Sequence, residues 1–118
     1  MKFLFLIYHD ETVLDALPEG EMQTLIDSAL DYDEEIRRSG HYIVSNALQS
    51  ARTARTIRVR GAKVSITDGP FAETKEHLGG FFLVEAKDMD EACEVASRFP
   101  PARLATIEVR PVQELKHS

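Results

Sequence analysis

Two hydrophobic periods alternate along this chain, and each change of period marks the edge of an element. Lys2 to Tyr8 is apolar at odd and even positions alike, which predicts a strand covered on both faces. From about Glu21 to Ser39 the period becomes helical. Met22, Leu25, Ile26, Ala29, Leu30 and Ile36 form one stripe, with acids and arginines opposite. Gly40 stands where a helix C-terminal cap belongs. Tyr42 to Leu48 reads as a second strand. Thr53 to Arg60 and Lys63 to Asp68 read as a hairpin turning at Gly61-Ala62. Phe81 to Ala86 is again apolar on both faces. Asp88, with Glu91 three residues on, has the form of a capping box for a second helix. Its expected buried stripe is Met89, Ala92, Cys93, Ala96 and Phe99, and Pro100-Pro101 stops it. Leu104 to Val112 closes the chain as a cleanly alternating strand.

The order is β-α-β, a hairpin, then β-α-β: an α+β, ferredoxin-like βαββαβ plan with an inserted β-hairpin. In that plan the first strand and the strand before the second helix lie together at the centre of the sheet. These are the two strands that are apolar on both faces. Helices cover only one face of such a sheet, and the other is normally wet and polar. A second copy packed around a two-fold axis is the simplest cover, so a homodimer is expected.

With 118 residues the chain makes one domain, 1–118. Its 43% hydrophobic and 29% charged residues are those of a soluble globular protein. The longest apolar run, Phe3 to Tyr8, is too short for a bilayer, and His9-Asp10-Glu11 stand where a signal peptide would carry its cleavage site. The expectation is a cytoplasmic protein without membrane association. Cys93 alone cannot form an internal disulfide. A net charge of −6 disfavours nucleic acid as a partner. Arg52, Arg55, Arg58, Arg60 and Lys63 make a local basic cluster, read as a solvated, edge-protecting hairpin face, with recruitment of an anionic ligand as the alternative.

The two-residue loop fixes the hairpin register. Arg60 faces Lys63, Val59 faces Val64, Arg58 faces Ser65, Ile57 faces Ile66, Thr56 faces Thr67 and Arg55 faces Asp68. The Arg55/Asp68 pair falls on the face of the valines and isoleucines. It is either a structural ion pair or the charged floor of a pocket, where burial would raise the carboxyl pKa and the guanidinium would lower it. Asp68 also opens the most particular wording of the chain, Asp68-Gly69-Pro70-Phe71-Ala72-Glu73-Thr74-Lys75-Glu76, closed by Gly79-Gly80. The two glycines are expected to let the chain turn into the Phe81 strand. No Walker lysine and serine follow them, so they form no phosphate loop.

These residues resemble the DGPF-domain branch of the YCII-related family. The resemblance starts at Met1 to Tyr8 and includes Thr56-Ile57-Arg58-Val59-Arg60. Its centre is Asp68 to Glu76 with Leu78-Gly79-Gly80-Phe81, and it continues through Asp90-Glu91-Ala92 to Ile107-Glu108-Val109-Arg110-Pro111-Val112. It implies a dimeric α+β barrel, two ferredoxin-like subunits with facing sheets. It also implies a small-molecule enzyme of lyase, isomerase or dehalogenase type that works through an acid and a histidine without a cofactor. Some relatives are associated with alternative sigma factors, which implies a regulatory module instead. The chain departs from the family at His9, where many relatives have a small residue, and between His41 and Ser50, where glycines are missing.

His9 ends the first strand on the face of Phe3, Phe5 and Ile7, and a histidine exchanges protons near neutral pH. His9 and Asp68 both end strands, so they are the expected catalytic pair at one rim of the sheet. Arg55, Gly69, Pro70, Phe71 and Lys75 are the expected binding residues for a small-molecule ligand. The alternatives are a rim histidine exposed to solvent and a motif that only locks the dimer. His41, His77 and His117 are isolated and no ligand set has metal spacing, so neither metal nor cofactor is expected. Ser45, Ser50 and Ser65 lack a nucleophile-elbow context. Cys93 is expected to be a small core residue.

Overall fold

A computed structural model describes all 118 residues, and its elements follow the chain in the order β1 (Lys2–His9), α1 (Glu11–Asp15), α2 (Glu21–Arg38), β2 (Tyr42–Ala47), β3 (Arg55–Arg60), β4 (Lys63–Asp68), β5 (His77–Glu85), α3 (Met89–Ser97) and β6 (Ala105–Pro111). Four strands make an antiparallel sheet in the order β2-β5-β1-β6, and β3 with β4 forms a separate two-stranded sheet. The protein is therefore an α+β fold, ferredoxin-like with an inserted hairpin. The two doubly apolar strands, β1 and β5, are the central pair.

Phe3, Phe5 and Ile7 of β1 share a face with Phe82 and Val84 of β5, and both long helices pack on that face. The helices contribute Tyr32 and Ile36 from α2, with Ala92, Val95 and Ala96 from α3, and Phe99 follows. The Tyr32, Phe82 and Phe99 rings meet edge-on with centroids 5.3–5.5 Å apart, a geometry that favours the ring quadrupoles. Tyr32 is buried without losing its polar contact, because its hydroxyl donates to the Val95 carbonyl at 2.7 Å. Burial pushes its phenol pKa up.

Both helix stripes are rotated from the expected ones. On α2 the row that faces the core is Leu25, Ala29, Tyr32 and Ile36, while Met22, Ile26 and Leu30 stay exposed. On α3 it is Ala92, Val95, Ala96 and then Phe99. Cys93 is exposed, not in the core. It follows Ala92 by one residue and so lies about 100° around the helix from it.

Leu4, Leu6 and Tyr8 of β1, with Phe81 and Leu83 of β5, point to the opposite face and are only half-buried. The hairpin stands further off. All six of its residue pairs have the expected register, from Arg55↔Asp68 to Arg60↔Lys63. Its apolar positions Ile57, Val59, Val64 and Ile66 are 57–63% exposed. The Cα radius of gyration is 16.5 Å, against about 13.5 Å for a compact domain of this length. The molecule measures 49 × 48 × 18 Å.

Three local features differ from the sequence reading. Ser50 caps a short 3-10 turn at Ala51–Thr53 by accepting from the Arg52 N–H, so β3 starts at Arg55 instead of Thr53. Asp10 caps the unexpected α1. β5 starts at His77 instead of Phe81, so Gly79 and Gly80 lie inside a strand and do not lead into it. No helix is long and apolar enough to cross a membrane.

Candidate functional site

At the end of β1 the pairing with β5 is irregular. Ile7 pairs with Gly80 and Tyr8 with Leu78, leaving Gly79 as the extra residue of a bulge, after which His9 faces His77. A Cβ on Gly79 would overlap the His9 ring, so the imidazole lies directly over this backbone. A Cβ on Gly80 would come within 3.1 Å of the Asn46 carbonyl in β2. The glycine pair thus permits two close approaches.

The His9 ring forms part of the wall of a cleft of about 240 Å³ between α2 and the sheet. Met22, Ile26 and Leu30 of α2 line it, as do Leu14 and Leu104, and 13 of its 20 lining residues are hydrophobic. The exposed row on α2 is therefore the wall of a cleft. Few polar side chains enter: His9, Asp33, Ser45 and Asn46. Ser45 Oγ lies 3.4 Å from each Asp33 carboxylate oxygen and 3.0 Å from the Tyr42 hydroxyl. These contacts tie α2 to β2 beside the cleft. The arrangement can hold a small, largely apolar molecule against an imidazole.

A second cavity, about 640 Å³, lies among Tyr8, the segment from Leu48 to Thr56 and the loop from Pro70 to Leu78. Arg55, Pro70 and Phe71 line it, whereas Asp68, Gly69 and Lys75 line neither cavity. Asp68 is paired with Arg55 at 3.6 Å and its side chain is 94% exposed. His9 and Asp68 therefore occupy different surroundings, one in the cleft wall and one on the open hairpin. Gly69 closes the hairpin base. Its N–H donates to the Ala54 carbonyl at 2.7 Å, its own carbonyl accepts from Thr56 Oγ1 at 2.8 Å, and its φ of +92° suits glycine. Phe71 is 79% exposed. Lys75 lies near Asp10, whose carboxyl is held below its usual range chiefly by the Thr12 hydroxyl and more weakly by that lysine.

Sequence reasoning missed Glu11 and His77. Glu11 accepts from the Ala51 N–H at 3.0 Å and from Ser50 Oγ at 3.1 Å. The Ala51 N–H, then Ser50, with smaller help from Arg52 and His77, holds its carboxyl below the usual range. Asp10-Glu11-Thr12 directly after a strand was a helix-start signal. His77 carried no signal until its strand was known to begin there. No group of three or more His, Cys, Asp or Glu side chains is arranged to hold a metal ion.

The family model of the YCII-related domain matches residues 1–116. An uncharacterised protein of Rhizobium meliloti (strain 1021) is 32% identical over 114 residues, covering 95% of this chain and 92% of that protein. Among solved structures, 5-chloro-2-hydroxyhydroquinone dehydrochlorinase from Burkholderia phenoliruptrix AC1100, in complex with 2,5-dihydroxybenzoquinone, aligns with 100% of this chain and 96% of its own at 22% identity and a TM-score of 0.44.

Proposed function

The chain belongs to the YCII-related family, and on that premise we propose that it is a small-molecule enzyme that moves a proton at His9, without a cofactor, in the cleft between α2 and the sheet. One observation carries this reading. The only imidazole in the cleft lies over Gly79 in a wall that is otherwise mostly apolar. A molecule that fills the cleft displaces water from His9, and an oriented base works best on a bound group in such a site. The substrate is small and largely apolar, with one acidic O–H or C–H. A phenol or a lactone fits that description. Lyase, isomerase and dehalogenase reactions can all begin with such a proton transfer.

The working unit in this proposal is a homodimer. Leu4, Leu6, Tyr8, Phe81 and Leu83 leave an apolar sheet face without a helix over it, and the hairpin adds Ile57, Val59, Val64 and Ile66. A second copy on these surfaces removes them from water at about 25 cal/mol per Å². Asp68 is solvated in a single copy, so its own acid-base role, with Arg55 beside it, depends on that second copy covering it.

Thermal shift and histidine-ring NMR with phenols, lactones and small carboxylates test the reading, using wild type, His9→Gln and Asp68→Asn. We expect a ligand that raises Tm by mass action and moves the His9 ring signals. His9→Gln should keep its fold and lose turnover of that ligand. Turnover of a ligand that leaves His9 unmoved, or full turnover by His9→Gln, would reject it. A regulatory, non-catalytic module of the sigma-factor-associated kind is the second reading, favoured by the exposed apolar hairpin face. It predicts binding without turnover.

A further inference from the structure

The second cavity holds a group that the reading above does not use. His77 Nε2 is the one side-chain nitrogen or oxygen in the protein that is buried without a hydrogen-bond partner. That nitrogen has no surface open to the cavity, so the ring is a neighbour of the site and not a contact in it. The residue lines the cavity beside hydroxyls from Tyr8, Ser50, Thr53, Thr56 and Thr74. Four of these are committed elsewhere. Ser50 Oγ donates to Glu11, Thr53 Oγ1 to the Ser50 carbonyl, Thr56 Oγ1 to the Gly69 carbonyl and Thr74 Oγ1 to the Glu76 carbonyl, which leaves the Tyr8 hydroxyl. Glu11 in turn is anchored by the Ala51 N–H, so the wall that carries Ser50 and Ala51 is fixed in place.

The charged groups on the lining are Arg55 and Glu76. Arg55 makes only a 3.6 Å contact with Asp68, and both side chains are largely exposed. Such a pair is worth little, and the guanidinium is free to exchange it for a bidentate carboxylate at small cost. The apolar part of the lining comes from Leu48, Pro70, Phe71 and Leu78. Phe71, with its side chain mostly in water, has a ring face free to stack.

We propose that this cavity is a second ligand site, distinct from the His9 cleft, for a single-ring aromatic acid. The carboxylate pairs with Arg55, the ring lies against Phe71 and Pro70, and a ring hydroxyl meets the Tyr8 hydroxyl. The site explains two features of the Asp68–Glu76 loop together: an aromatic residue left in water, and a proline beside it on the same lining.

His77 lines this cavity and His9 lines the cleft, but the two face each other across β1 and β5, so the Arg55 dependence of the His77 shift is what separates this site from the cleft. Histidine-labelled full-length protein is titrated with 4-hydroxybenzoate, with benzoate and 4-hydroxybenzamide alongside. The expected result is movement of the His77 ring signals with saturation, whatever His9 does. Arg55→Gln, an exposed substitution with little bearing on folding, should weaken 4-hydroxybenzoate about tenfold. The amide should bind about as weakly to wild type as the acid does to Arg55→Gln, and benzoate should bind more weakly than 4-hydroxybenzoate. His77 signals that stay still up to about 10 mM acid, or equal affinity in wild type and Arg55→Gln, would overturn the proposal. Movement confined to His9 would overturn it too, while leaving the cleft reading intact.

Discussion

Replacing the hydrogen of Gly79 by a methyl group would drive it into the His9 ring, so Gly79→Ala should keep the fold and displace the imidazole. Ligand-induced shifts at His9 should then disappear while the unfolding midpoint changes little. A larger loss of stability with His9 in place would mean that Gly79 serves the strand alone. Position 11 makes a second residue-scale prediction. The Ala51 N–H and Ser50 hold the Glu11 carboxyl below its ordinary value of 4.5. A lowered folded pKa stabilises above the unfolded value and stops doing so as pH falls through the folded one. Stability of the wild type should therefore hold through neutral pH and decline below about 4.5. In Glu11→Gln it should start lower and lose less on acidification, as thermal melts across pH would record. At this scale sequence was a partial guide. His9 was legible because its strand partners fixed its face. Asp68 was legible as the partner of Arg55, but its exposure was not, because alternation gives a face and not what covers it. Cys93 was misread because a one-residue offset in a helical stripe, about 100°, is enough to move a side chain from core to solvent.

Elements were more legible than single residues, for reasons that differ from one to the next. The hairpin register follows from its two-residue Gly61-Ala62 loop, so all six pairs could be written down in advance. α2 and α3 follow from periods sustained over 18 and 9 residues. α1, at 5 residues, is too short to display a period. The bulge at Gly79 changes the register by one residue without changing the hydrophobic pattern. The base of the hairpin is where the Asp68-Gly69 wording meets the element. Gly69→Ala must place a side chain at φ +92°, which costs on the order of 1 kcal/mol. The strain falls on the bonds to Ala54 and Thr56. We expect faster amide exchange in β3 and β4 with the four-stranded sheet unchanged. Uniform loss across both sheets would mean that the hairpin base also supports the main core.

For the whole molecule, the sequence feature that pointed to association was apolarity on both faces of β1 and β5. The fold leaves one of those faces without a helix, and only 14 of 118 residues are buried in a single copy. Leu6→Lys with Leu83→Lys should convert a sedimenting dimer to monomer without disturbing the helical face. A wild type that sediments as a monomer at all concentrations would remove the basis for that expectation. The standing-off hairpin has a further consequence, for proteolysis. Arg55, Arg58, Arg60 and Lys63 offer trypsin four cleavage points on two strands whose side chains are almost all in water. In a lone subunit, limited digestion should nick the chain there first, leaving a four-stranded fragment pair that still holds together through β1, β5 and β6. A hairpin clasped against another copy should resist the same digestion, so the rate of that first cut measures how much of the population stands alone.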